Sequence, residues 1–310
     1  MFRLIPAFKD YIWGGHKLEK MYGKGNGGKK VSESWEVSVH PDGPSGIAGG
    51  GTLAQYLAEH PQAVCPQGAP LPVLIKLIDA AQNLSVQVHP GDDYARRVEG
   101  DNGKTEMWYI VQADEGAGIY CGFKNDIARD DFARMVEDGS VEKCLNFIPV
   151  RAGDCYLIKA GTVHAICAGC VICEVQQSSN VTYRVYDYGR LGADGKPRPL
   201  HIAKAMDVID FSAFRDTTGS GAYAETEGGK ERILTQCGYF RCRELLLSGK
   251  CARKNGASFT ALTVLEGEGE IGGERFAAGN SYFVPCGEQF ELEGKAKIIL
   301  TDLPQITAEH

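Results

Sequence analysis

The chain has 310 residues, of which 43% are hydrophobic and 24% charged, so it can bury a large core and is not intrinsically disordered. Its formal charge of -7 excludes a general basic surface for nucleic acid or an anionic membrane. We therefore expect no nucleic-acid or membrane partner, and a phosphorylated ligand would have to be held by a few local cations.

The N-terminus and the cysteines predict a cytoplasmic protein. Residues 1–7 lack the apolar segment of a signal peptide, and no stretch of the chain has the length of a membrane span. The eleven cysteines are an odd number and are best interpreted as reduced thiols. Cys167, Cys170 and Cys173 have iron–sulfur spacing, but the apolar residues among them favour a buried strand. The sequence leaves open whether the protein is a monomer or a small homo-oligomer.

Short apolar segments separated by glycine-rich turns predict a mainly β fold. In chain order, helices are predicted at residues 52–58, at 130–136 with a short successor to 145, and between 203 and 214. Strands are predicted at residues 71–78, 107–111, 155–158, 171–175, 262–265, 281–284 and 296–300. Many short strands and few helices favour a β-sandwich or barrel over alternating βα units.

A weak internal repeat predicts two barrels of one kind. A glycine, a polar residue and a strand occur at residues 152–161 and again at 278–285. Residues 214–229 are rich in glycine, serine and threonine, so we place the boundary there: a domain at 1–225, with a helical insertion around 126–146, and a domain at 226–310. Only the first copy is followed by a histidine, His164, so a metal site is expected in the first domain and none in the second.

Polar side chains that suit a metal ion occur at three places in the first domain. Ser85, Gln87 and His89 alternate with apolar residues, so they share one face of a predicted strand. Glu106 begins the next predicted strand, and His164 follows a turn. Two imidazoles, a carboxylate and an amide oxygen suit zinc or a similar divalent ion with an open coordination position. Each residue taken alone could instead be a satisfied polar group of the core.

The sequences LSVQVHP at residues 84–90 and GKTE at 103–106 resemble the type I phosphomannose isomerases in their short bacterial form. Further similar motifs occur at residues 11–15, 33–41 and 176–187, whereas family members often have aspartate where this chain has Asn180. The resemblance implies a double-cupin fold of two jelly-roll barrels with a small helical insertion. It also implies one Zn²⁺ ion held by Gln87, His89, Glu106 and His164. The implied reaction interconverts mannose 6-phosphate and fructose 6-phosphate by zinc-assisted proton transfer through a cis-enediol.

By the same resemblance, the polar pocket that surrounds the metal includes five catalytic candidates: Glu33, Lys76, Lys104, Glu174 and Arg184. Lys76 interrupts an apolar run, where a charge is costly unless it faces a site, although a lysine at an edge strand could instead extend to solvent. The same argument applies to Glu174. Lys104 could transfer protons or hold the phosphate, and the sequence does not identify the base.

The candidate substrate-binding residues are Ser85 and Arg190. Arg184 and Arg190 could bind the phosphate, because a guanidinium fork matches its oxygens. Arg190 could equally be an ordinary solvated arginine.

Two other functions fit a metal-binding cupin. A dioxygenase would use iron and mostly histidine ligands, which the glutamine, the glutamate and the nearby cations argue against. A non-catalytic sugar-binding cupin would need the metal face but not the surrounding cations. A small phosphorylated sugar is therefore the expected substrate.

Overall fold

Strands dominate the structure, which confirms the mainly β prediction. A computed structural model describes residues 1–25, 27–192, 195–215 and 220–304. Within these ranges the strands are β1 (Phe2–Ile5), β2 (Ala7–Lys9), β3 (Glu33–Val37), β4 (Gly46–Ile47), β5 (Val73–Ala80), β6 (Val86–Val88), β7 (Glu106–Ala113), β8 (Gly118–Phe123), β9 (Leu145–Pro149), β10 (Cys155–Ile158), β11 (His164–Ile166), β12 (Cys170–Gln177), β13 (Tyr183–Tyr186), β14 (Ala224–Thr226), β15 (Gly229–Gln236), β16 (Arg241–Leu247), β17 (Lys250–Lys254), β18 (Thr260–Ile271), β19 (Glu274–Ala277), β20 (Ser281–Val284) and β21 (Gln289–Asp302).

Five short α-helices and two 3-10 helices connect these strands in the described ranges. They are α1 (Lys17–Tyr22), α2 (Leu53–Glu59), α3 (Asp92–Val98), α4 (Arg129–Glu137) and α5 (Ile202–Val208), with 3-10 helices at Pro61–Ala63 and Val141–Cys144. The predicted helices correspond to α2, α4 with the second 3-10 helix, and α5, whereas α1 and α3 were not predicted. Thr52 begins α2 with a capping box, in which its side chain accepts from the Gln55 backbone N–H while the Gln55 side chain accepts from the Thr52 backbone N–H.

The first barrel consists of two antiparallel sheets that face each other. One has the order β10-β7-β12-β5-β3-β2 and the other the order β13-β6-β11-β8-β9. Apolar side chains from both sheets, including Ile78, Trp108, Ile119, Ile166 and Ile172, form a shared core between them. Another cluster packs the outer face of the five-stranded sheet against α4 and α5, so the helical insertion covers that face.

The C-terminal strands form a third sheet with the order β14-β15-β16-β21-β18-β20-β1-β4, to which β17 and β19 are attached. The N-terminal strand β1 therefore pairs with β20 rather than with the first barrel. The third sheet packs on the outer face of the six-stranded sheet, where residues such as Leu77, Met107, Phe259 and Phe283 belong to one cluster. The predicted boundary near residue 225 lies at β14, and the division into two domains stays a prediction.

Burial on both faces explains why the strands of the six-stranded sheet are nearly continuous apolar runs. All eight residues of β5 and all eight of β12 are buried. Their odd-numbered residues, among them Ile75, Leu77, Cys173 and Val175, pack against the C-terminal sheet. The even-numbered residues face the interior of the first barrel, and the polar exceptions among them form the site.

Candidate active site

A cavity of about 240 Å³ opens between the two sheets of the first barrel. Its wall includes seven of the residues that the sequence analysis singled out: Glu33, Lys76, Ser85, Gln87, Lys104, Glu174 and Arg184. His89, Glu106 and His164 are not part of this wall and are completely buried beside it. Among the predicted site residues, only Arg190 lies outside both groups.

Strand register brings the polar side chains together. Gln87 on β6 pairs with His164 on β11 on one side and with Arg184 on β13 on the other. Glu174 on β12 pairs with Lys76 on β5. Directly opposed residues of an antiparallel sheet have their side chains on the same face, so residues distant in sequence meet in one cavity.

His89, Glu106 and His164 converge at one point of the interior. The two Nε2 atoms lie 3.2 Å apart. Glu106 Oε2 lies 3.5 Å from His89 Nε2, and Glu106 Oε1 lies 3.3 Å from His164 Nε2. These residues are the only group of three or more histidine, cysteine, aspartate or glutamate side chains in the described ranges that could hold one ion.

Both imidazoles are held with their Nε2 lone pairs directed at this point. His89 Nδ1 lies 2.8 Å from the carbonyl oxygen of Val181, and His164 Nδ1 lies 2.8 Å from that of Thr162. A carbonyl oxygen only accepts, so each Nδ1 must donate and each Nε2 must be an acceptor. Burial lowers the pKa of His164 to about 3 and holds the pKa of His89 well below its ordinary value, which keeps both rings neutral.

The residues at this point fit a divalent ion such as Zn²⁺. Ligands bound tetrahedrally to zinc at 2.0–2.1 Å lie roughly 3.3–3.4 Å from one another, close to the three distances observed here. Glu106 Oε1 is buried and makes no hydrogen bond within the described residues, and Gln87 Nε2 lies 3.4 Å from His164 Nε2. A half-turn of the Gln87 amide directs its oxygen to the same place, because the two orientations have the same shape.

Lys104 lies between this group and the cavity. Its ammonium donates to Glu106 Oε2 at 2.5 Å and to His89 Nε2 at 3.0 Å, and it lies 4.0 Å from Glu174 Oε1. Burial raises the pKa of Glu106 to about 7, although Lys104 acts in the opposite direction. The Lys104 ammonium is thus a cation that already contacts two of the proposed ligands, Glu106 and His89.

A second buried set of charges forms the floor of the cavity. Lys76 Nζ lies 3.4 Å from Glu33 Oε2 and 3.3 Å from Glu174 Oε1. Indole N–H groups fix both carboxylates: Trp35 donates to Glu33 at 2.6 Å, and Trp108 donates to Glu174 at 3.0 Å. Burial alone would raise the pKa of Glu174, but Lys104 and Lys76 outweigh it and lower that pKa. Lys76 therefore faces the site and does not extend to solvent.

Arginines line the opposite side of the cavity. Arg184 and Arg198 belong to its wall, whereas Arg190 donates to the carbonyl oxygen of Asn83 and, at 2.5 Å, to Asp187 Oδ1. Arg184 therefore lines the cavity, whereas Arg190 lies outside its wall and is bonded to Asn83 and Asp187.

Arg198 was not predicted from the sequence. It follows Pro197 in a segment without strand or helix periodicity, so only its contact with Asp187, eleven residues earlier, could have indicated it.

The aromatic side chains Tyr11 and Trp13 complete the wall. A tight turn carries them, in which the Gly14 N–H donates to the Tyr11 carbonyl at 3.0 Å. A Cβ atom at Gly14 would lie 2.4 Å from the Cβ atom of Ser32, so only glycine allows this approach of the turn to the neighbouring segment. Close packing against Ser32 therefore explains why glycine follows tryptophan at position 14.

Among the described residues, no helix is both long and apolar enough to cross a membrane. The eleven cysteines are all free thiols, and Cys170 and Cys173 lie on the buried strand β12, as the apolar spacing predicted.

Comparison with known proteins identifies relatives over nearly the whole chain. The family model described as phosphomannose isomerase type I, catalytic domain, matches residues 1–125. The chain is 37% identical over 309 residues to the mannose-6-phosphate isomerase ManA of Bacillus subtilis, covering 96% of this chain and 97% of that protein. It is 35% identical over 298 residues to the mannose-6-phosphate isomerase of Streptococcus mutans, covering 93% of each.

A solved structure agrees with these sequence matches. The crystal structure of the mannose 6-phosphate isomerase from Bacillus subtilis superposes with a TM-score of 0.90 at 32% identity, covering 97% of this chain and 98% of that chain. The likeness therefore extends over all three sheets.

Proposed function

The chain belongs to the type I phosphomannose isomerase family and is an aldose–ketose isomerase, and we propose that it interconverts mannose 6-phosphate and fructose 6-phosphate in the cavity of the first barrel. The observation that carries the assignment of the site is the convergence of His89, Glu106 and His164 at ligand-to-ligand distances that suit one ion. Family membership leaves no support for the dioxygenase or the non-catalytic sugar-binding interpretation.

We propose that Gln87, His89, Glu106 and His164 hold one Zn²⁺ ion. When bound, the ion supplies Lewis-acid stabilisation of the negative charge that develops when a proton is removed beside the sugar carbonyl. Burial keeps both imidazoles neutral, and the two carbonyl acceptors at Nδ1 orient them, as ligation requires.

The proton moves between C1 and C2 of the sugar, and we assign this transfer to Glu174 and Lys104. Glu174 is ionised, and its Oε1 contacts the Lys76 ammonium at 3.3 Å but makes no other hydrogen bond within the described residues, so this oxygen can accept a proton. The Lys104 ammonium lies 4.0 Å away and can donate to a sugar oxygen. The intermediate of such a transfer is an enediol.

The other predicted residues position Glu174 or bind the substrate. Lys76 forms ion pairs with Glu33 and with Glu174, and these contacts hold Glu174 in place. Ser85 is buried on the wall beside Gln87 and can bond a sugar hydroxyl, and Arg184 provides a cation for the phosphate. Because all cysteines are free, we propose the cytoplasm as the location, and the oligomeric state stays a prediction.

A coupled assay for fructose 6-phosphate formation from mannose 6-phosphate tests this function. The metal-loaded protein is compared with Glu106→Gln, which keeps the shape of the side chain but removes its charge. We expect turnover by the first and a loss of at least about 10- to 100-fold in metal affinity or activity in the second, because that is the usual cost of altering a residue that only supports a ligand. An absence of product from the metal-loaded wild-type protein would rule out the proposed reaction.

A further inference from the structure

The arginine cluster at the cavity consists of Arg184, Arg190, Arg198 and Asp187, and only part of it has a role so far. We propose that Arg198 is a second phosphate-binding residue, which holds the 6-phosphate of the substrate together with Arg184, while Asp187 and Arg190 position it. This inference rests on the proposed function and adds a specificity-determining residue for phosphorylated over unphosphorylated sugars.

Asp187 fixes one edge of the Arg198 guanidinium. Arg198 Nε donates to Asp187 Oδ2 at 2.7 Å, and its Nη2 donates to Oδ1 at 2.5 Å. Arg190 Nη2 donates to the same Oδ1 at 2.5 Å, and the Asp187 side chain is only 6% exposed. Neither of the two contacts with Asp187 uses Arg198 Nη1. The Arg198 guanidinium therefore has a donor left for a ligand, while Asp187 fixes its orientation.

The segment that carries Arg198 also holds Arg184. Arg184 Nη1 donates to the carbonyl oxygen of Pro199 at 2.9 Å, and its backbone N–H donates to His201 Nδ1 at 3.1 Å. Arg184 Nε is buried and makes no hydrogen bond within the described ranges. The two guanidiniums are thus placed on one wall by the same short stretch, residues 198–201.

The charge of the cluster matches the proposed ligand. Three guanidiniums and one carboxylate leave a net charge of +2, in a chain whose formal charge is -7. Burial lowers the pKa of Arg184, and the positive charges of Arg198 and Arg190 lower it further. A phosphate monoester carries a charge of about -1.5 to -2 near neutral pH, so it would relieve the repulsion between the arginines.

The position of the cluster relative to the ligand group is also suitable. Arg184 pairs with Gln87 in the sheet, and neighbouring strands lie about 4.8 Å apart. A hexose 6-phosphate has its carbonyl carbons at one end and its phosphate at the other. Gln87, Lys104 and both arginines line the same cavity, so a sugar lying in it can place C1 and C2 near Gln87 and Lys104 and its phosphate at the arginines.

Calorimetric binding of mannitol 6-phosphate to the zinc-loaded protein tests the proposal, because this hexitol phosphate has no carbonyl and is not turned over. We expect Arg198→Gln to weaken its binding by about 10- to 100-fold, as for the loss of a charge-assisted hydrogen bond. Arg198→Lys keeps a point charge but loses the fork, so we expect a smaller loss. Binding of unphosphorylated mannitol and the zinc content should not change in either variant.

Arg151→Gln is the matched control, since it removes an equal charge from a side chain that is 89% exposed. Unchanged mannitol 6-phosphate binding in Arg198→Gln would overturn the inference, as would an equal loss in Arg151→Gln. A loss of mannitol binding that parallels the loss of mannitol 6-phosphate binding would also overturn it, because it would indicate a structural role. If Arg198→Gln does not fold, the binding of mannitol 6-phosphate and of mannitol by Arg198→Lys is compared with wild type in the same way. Failure of the wild-type protein to isomerise mannose 6-phosphate would refute the proposed function, whereas these binding measurements judge Arg198 separately.

Discussion

Replacing Lys76 with methionine tests whether this buried cation holds Glu33 and Glu174 in place. Its Nζ lies 3.4 Å from Glu33 Oε2 and 3.3 Å from Glu174 Oε1. At an effective dielectric constant of about 20, each attraction amounts to about 5 kcal/mol, much of which offsets the desolvation of the ions. Lys76→Met leaves the buried carboxylates of Glu33 and Glu174 without their shared ion-pair partner. We therefore expect the free energy of unfolding to fall by about 3–5 kcal/mol. Urea denaturation at neutral pH measures this change.

Lys204→Met provides the matched control. Lys204 Nζ lies 2.7 Å from Glu99 Oε1, but its side chain is 45% exposed, so we expect a loss below about 1 kcal/mol. The double variant Lys76→Met/Glu174→Gln should recover part of the stability lost in Lys76→Met, because one of the uncompensated charges is removed with it. A loss in Lys76→Met no larger than that in Lys204→Met would refute the reasoning from buried charge.

Three further predictions concern the metal, the phosphate and acid stability. His164→Ala should lose bound zinc and activity together, since a ligand is removed; metal analysis that finds wild-type zinc content would contradict this. Arg184→Ala should keep its zinc while the KM for mannose 6-phosphate rises by about 10- to 100-fold, and an unchanged KM would remove Arg184 from the phosphate site. Burial raises the pKa of Asp187, but hydrogen bonds from Arg198 and Arg190 outweigh it and hold that pKa below its ordinary value. The Asp187 carboxylate therefore stabilises the fold above about pH 4, and this contribution is lost as the pH falls through its pKa in the folded state. In urea unfolding, the wild-type protein should lose stability more steeply below about pH 4 than Asp187→Asn does.

The sequence could predict many of the strands and the polar face of β6 because both depend on local pattern. The predicted strands at residues 155–158 and 281–284 coincide with β10 and β20. Alternation through Ser85, Gln87 and His89 indicated a polar face, and the structure places this face toward the barrel interior. The internal repeat singled out the distant His164, and the family resemblance implied that it belongs to the same group.

Features that depend on contacts between distant segments could not be predicted in the same way. Helices α1 and α3 are short and each bury only one residue, so no apolar periodicity marks them in the sequence. The pairing of β1 with β20 joins the two ends of the chain, and no local pattern indicates it. Arg190 was predicted and Arg198 was not, although both contact Asp187, and only the lining of the cavity shows that Arg198 faces it.

Zinc titration of the chelator-treated protein, with mannose 6-phosphate turnover and bound zinc measured on the same samples, tests the central claim most directly. If Gln87, His89, Glu106 and His164 hold the single catalytic ion, activity should rise in proportion to bound zinc and reach its maximum at one ion per chain. Full turnover by the metal-free protein, or saturation of activity at a different stoichiometry, would contradict it.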